Sequence, residues 1–100
     1  MPYNYQLSEE AESDVFDSYR WYEKQREGLG EEFMESLDAA EQAISDNPTA
    51  FGIRYKKKIR AYVVDRFPYL VLYAVNWNDI DVIAVFNTNR HSKRWKKRIK

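Results

Sequence analysis

The sequence predicts an α+β fold: a short N-terminal strand, an α-helical hairpin, a three-stranded antiparallel β-meander and a short basic C-terminal segment, within one domain covering 1–100. Three observations carry that prediction. The apolar period changes from helical to alternating near mid-chain, a Gly28-Leu29-Gly30 break separates two helical stripes, and the later apolar runs are joined by connections too short for crossovers. A chain of 100 residues ordinarily builds a single core. Eight Tyr, five Phe and three Trp make that core dense despite the many charges.

Tyr3-Asn4-Tyr5-Gln6-Leu7 alternates apolar and polar, the pattern of a strand covered on one face. Ser8 then reads as a helix N-cap, with Glu9, Glu10 and Glu12 in the first turn, where negative charge complements the helix dipole. Ala11, Val15, Tyr19 and Tyr22 recur at helical spacing, so a first helix is expected from Ser8 to Arg26. After the glycine break, Phe33, Leu37, Ala40 and Ile44 form a second stripe that stops before Asn47-Pro48. Three runs rich in β-branched and aromatic residues follow, at Ile59–Val64, Tyr69–Val75 and Asp81–Phe86. Arg66-Phe67-Pro68 and Asn76-Trp77-Asn78-Asp79 join them, so antiparallel hairpins are the economical pairing. Both faces of the central run are apolar; the helices cover one, and the terminal segment or a partner is expected on the other.

Charge is divided sharply along the chain. Residues 1–50 hold thirteen acidic and three basic side chains, a net of −10, and residues 51–100 hold the reverse, a net of +10. Such a split implies oppositely charged partners even though the sum is zero. Arg90, Lys93, Arg94, Lys96, Lys97, Arg98 and Lys100 crowd the end of the sequence, interleaved with His91 and Trp95. The absence of Cys excludes disulfides and thiolate zinc sites, and fits a reducing compartment. No apolar run approaches the roughly 20 residues of a membrane span, and no secretory signal is legible, so a cytoplasmic location without membrane contact is expected. Neither a cofactor nor a metal is implied.

The order and spacing of several pieces resemble the RelE/ParE superfamily of bacterial toxins from type II toxin–antitoxin systems. The resemblance covers nearly the whole chain. It rests on Arg66-Phe67-Pro68-Tyr69-Leu70-Val71-Leu72-Tyr73, on Tyr22, Gly28-Leu29-Gly30 and Phe33, on Pro48 and Ile59-Arg60, and on Val82-Ile83-Ala84-Val85-Phe86 followed by Arg90 and Trp95. Two positions depart from the ParE-like pattern: Asn87 stands where a histidine is common, and Ser92 near a usual proline. The long helical hairpin is more similar to ParE-like than to RelE-like members. That resemblance implies a toxin that inhibits DNA gyrase by binding it, with no chemistry of its own, and is neutralised by a cognate antitoxin, a toxin–antitoxin hetero-oligomer being the assembly it allows.

A RelE-like alternative implies a metal-independent endonuclease acting on ribosome-bound messenger RNA. Arg60, Arg66, Arg90 and His91 are then the candidate catalytic residues, because guanidinium groups stabilise phosphate charge and imidazole is the one side chain that titrates near neutrality unaided. The late position that carries a tyrosine base in RelE-like members falls near Trp95 or Lys96, and an indole can stack on a base but cannot take its proton. For contact with a target or antitoxin, the candidates are Arg60, Arg66, Tyr73, Arg90, Lys93, Arg94, Trp95, Lys97 and Arg98. Lys56-Lys57-Lys58 reads first as a solvated loop. A third reading is a non-toxic module of the same fold that only binds another protein.

Overall fold

The computed structural model describes residues 3–89 and 94–98. Its elements are β1 (Asn4–Leu7), α1 (Glu9–Gln25), α2 (Leu29–Asp46), β2 (Ile53–Tyr55), β3 (Ile59–Val63), β4 (Tyr69–Asn76), β5 (Asp79–Asn87) and a terminal 3-10 turn (Arg94–Arg98). The strands form one mixed sheet in the order β1-β5-β4-β3-β2, with β1 parallel to β5 and the other pairs antiparallel. The expected α+β architecture is present, with one added strand: β2 extends the meander to four strands, while the expected N-terminal strand joins the sheet at its other edge, parallel to β5. Three residues with a register shift between Ile53 and Tyr55 are too few to leave an alternation signal in the sequence.

Local chemistry sets the helix ends. The Ser8 hydroxyl accepts from the Ala11 amide at 3.1 Å, satisfying one of the free N–H groups at the start of α1. Gly28 takes the left-handed region at φ 89°, which lets the chain reverse between the helices. The first amides of α2 are capped from α1: the Glu23 carboxylate accepts from Gly28 N at 3.1 Å and from Gly30 N at 2.8 Å. A β-carbon at Gly30 would lie 2.8 Å from Glu23 Cγ, so the close approach of the two helices requires glycine there.

The main core lies between the hairpin and the sheet, around Phe33, Ile44, Val71, Tyr73, Ile80 and Val82. Burying each of the larger side chains contributes roughly 1.5–3 kcal/mol before the entropy of ordering is counted. The Arg66–Tyr69 motif now has a structural meaning. Phe67 and Tyr69 enter an aromatic cluster with Tyr22 and Phe33, at centroid separations of 4.9–5.4 Å in three of its contacts, and the Tyr69 hydroxyl bonds Ser18 at 3.0 Å. On the opposite face Ile59, Ala61, Leu72 and Ala84 form a second apolar layer.

A bulge in β5 reassigns side chains between these layers. Leu72 pairs with Ala84 but Tyr73 pairs with Val82, so Ile83 is the extra residue, and Val82 and Val85 both face the helices. Beyond Val82 the edge of β5 has no strand beside it among the described residues. Side chains close it instead: Val85 N donates to Asp14 at 3.0 Å, and the Ile83 carbonyl accepts from Arg98 at 2.9 Å. Among the described residues no helix is long and apolar enough to cross a membrane.

Candidate functional site: the basic face of the sheet

The terminal turn folds back against β5, on which Arg98 is its anchor. The Arg98 guanidinium meets the Asp14 carboxylate through two bonds, at 2.8 and 3.2 Å, and both side chains are largely sheltered. This bidentate pairing holds the guanidinium proton more tightly than usual. This pair joins the acidic and basic halves of the sequence at the edge of β5.

From this anchor the turn sends Lys96 across to β2. Its ammonium lies 5.3 Å from the centre of the Tyr55 ring, and Lys56 lies 5.7 Å from the same ring. Between β2 and the turn runs a groove of about 220 Å³ lined by Arg54, Tyr55, Leu70, Leu72, Phe86 and Lys96. Its floor is apolar and its rim cationic. Like charges collected around one ring repel each other, so the groove favours an anionic neighbour, a carboxylate or a phosphate. Lys56 and Lys57 are held in the left-handed region at φ 49° and 58°, a strained turn that keeps this rim in place.

The described residues that sequence reasoning selected do not converge on one point. Arg60 is spent on backbone carbonyls, donating to Thr49 O at 3.2 Å and Phe51 O at 2.6 Å. Tyr73 is wholly buried and its hydroxyl donates to Pro48 O at 2.7 Å, so the side chain is core and has no free surface to offer a partner. Burial pushes this phenol up to about 12. Arg66 is exposed at the β3–β4 turn and pairs with Glu32 at 2.6 Å. Arg26 also bonds Glu32, and with Arg66 it keeps that carboxyl below its ordinary range. Arg98 is the anchor described above, and Lys97 is exposed on the turn. Arg94 and Trp95 belong to the backbone of the turn, while Arg90, His91 and Lys93 lie outside the described residues.

Of the groove's charged and aromatic rim, Arg54, Tyr55 and Lys96 were not among the sequence candidates for binding, and Lys56, beside the same Tyr55 ring, read first as a solvated loop. Arg54 and Lys56 flank an aromatic residue two apart, a period that points to one side of a strand, but the strand itself was too short to recognise. Asp14 was hidden for another reason. Its partner lies 84 residues away, and only the folded chain brings them together.

The helical side presents the opposite chemistry. A groove of about 570 Å³ between α1 and α2 has Val15, Phe16 and Met34 in its lining, with Glu12 and Glu31 at its edge. Among the described residues no group of three or more metal-ligating side chains converges.

A family model described as "ParE toxin of type II toxin-antitoxin system, parDE" matches residues 5–95. Among solved structures, a chain from "Chromosomal ParDE TA system from P. aeruginosa" superposes with a TM-score of 0.75, covering 85% of this chain and 95% of that one at 12% sequence identity. At that identity the likeness speaks for the fold. No curated protein matches the sequence.

Proposed function

The chain belongs to the ParE toxin family of type II toxin–antitoxin systems, and from that premise we propose that it inhibits DNA gyrase by binding and is neutralised by a cognate antitoxin. The observation that carries the binding half of this reading is the cation-rimmed groove between β2 and the terminal turn, which has an apolar floor and lies on the basic half of the domain. Such a surface suits capture of an acidic protein segment or a phosphate-bearing complex, by charge attraction followed by burial of apolar atoms. The contacts proposed are Arg54, Lys96 and Lys97 together with the terminal Arg90, Lys93, Arg94 and Trp95.

The nuclease alternative finds less support. Proton transfer needs a titratable group within reach of the reacting oxygen. Tyr73 is buried with its proton held tightly, and the Arg60 guanidinium is committed to two carbonyls. Supercoiling assays run in parallel with a translation extract discriminate the readings. We expect gyrase inhibition and intact messenger RNA; codon-specific cleavage with gyrase unaffected would overturn the assignment. Replacing Arg90 and Arg94 together by Ala is expected to abolish growth arrest in a chain that still folds, with circular dichroism and thermal melting as the check on folding.

A further inference from the structure

Trp77 sits in the two-residue turn between β4 and β5 and is 96% exposed, the most exposed large apolar side chain among the described residues. Its φ is 56°, in the left-handed region. Hairpin turns of this length favour Gly, Asn or Asp at such positions, and a bulky aromatic enters them against steric resistance. Neither turn geometry nor packing asks for tryptophan here. An indole held in water by a strained backbone is a reason to look for function at that point.

The tip is also braced. Asn4 N donates to the Asn78 carbonyl at 2.7 Å, and the Asn76 amide bonds Asp81 at 3.0 Å. The ring is therefore presented on a stiff support, which limits the entropy lost when it docks. Asp79 and Asp81 stand on the β5 side of the turn, and the antiparallel register that sets Arg60 opposite Tyr73 brings the Lys56–Lys58 turn to the same end of the sheet. An apolar centre with a rim of both charges is the anatomy of a protein-binding hot spot.

Shape and charge select the partner. A convex tip needs a concave receptor, and a preformed pocket is a property of a folded protein, not of an extended peptide. Phosphate backbones are disfavoured by Asp79 and Asp81, the carboxylates that follow the turn on β5. We infer that Trp77 is the anchor by which this toxin enters an indole-sized apolar pocket on the folded protein that it attacks. The inference rests on the toxin reading and adds to it a contact separate from the basic groove.

The test uses Trp77→Gly and Trp77→Asn, both suited to the left-handed turn. Both variants should melt at or above the wild-type temperature, lose at least about 30-fold in inhibition of purified gyrase, as removal of a central tryptophan anchor does, and no longer arrest growth when expressed. Folded variants that arrest growth like the wild type would overturn the inference, as would a lowered melting temperature in both, which would give the ring a folding role. Equal losses of affinity for the antitoxin encoded beside the toxin would also sink it, since the ring would then serve the antitoxin. If the wild type arrests growth without touching gyrase, the gyrase assignment falls alone and growth arrest still decides Trp77. A wild type that arrests nothing removes the toxin reading and the anchor together.

Discussion

Replacing Tyr73 by Phe separates a core role from a binding role at a residue that the sequence alone offers for either. The ring stays, so apolar burial is nearly unchanged, but the hydroxyl that donates to Pro48 O at 2.7 Å is lost. The carbonyl is then left in a site where the Tyr73 side chain is fully buried. Losing such a bond costs about 1–2 kcal/mol, and for a domain of this size that lowers the melting temperature by about 5–15 °C. Alkaline pH gives a second readout. The Tyr73 phenol is raised from 10.0 in the unfolded chain to about 12 by burial. Its contribution is fully present below pH 10 and is lost as pH rises through 12, on the order of 2–3 kcal/mol. Tyr5, also raised by burial, acts in the same direction in both proteins. Wild type should therefore lose more stability between pH 10 and 12 than the Phe variant, measured by urea unfolding at each pH. Gyrase inhibition at neutral pH and low temperature should be unchanged. A variant that melts with the wild type but inhibits poorly would refute the placement of Tyr73 in the core.

Further expectations concern the anchor and the helix junction. Asp14→Ala should destabilise by about 1–3 kcal/mol, because Val85 N loses its acceptor, and should raise hydrogen exchange in the terminal turn. Combining it with Arg98→Ala should add less than the sum of the single losses, since the two side chains share one ion pair; strict additivity would mean that the pair is not coupled. Gly30→Ala should destabilise despite the better helix propensity of Ala, by about 1–3 kcal/mol in chemical denaturation. A β-carbon there meets Glu23 and Tyr19 at 2.8–2.9 Å and displaces the carboxylate that caps α2. A more stable Ala variant would disprove that packing argument.

The sequence by itself determined the elements except β2, whose three residues leave no local pattern. Ser8, the acidic first turn and the Gly28-Leu29-Gly30 break act within a few residues of themselves, so the helical hairpin was legible locally. The same holds for β3, β4 and β5, whose short connections left antiparallel pairing as the economical choice. The aromatic motif at Arg66–Tyr69 marked the fold because its rings fill the space between α1, α2 and the sheet. Only the tertiary structure decided which charged and aromatic groups are free to act. Arg60 and Tyr73 looked available in sequence, yet one is bound to carbonyls of the segment before β2 and the other to the carbonyl of Pro48. Asp14 and Arg98, at opposite ends of the chain, became a pair, and Lys96 and Tyr55 became neighbours. Periodicity reports which face a side chain occupies, whereas partnership depends on register, bulges and chain return over long separations. Those are fixed by the packing of the whole domain, and no local pattern encodes them.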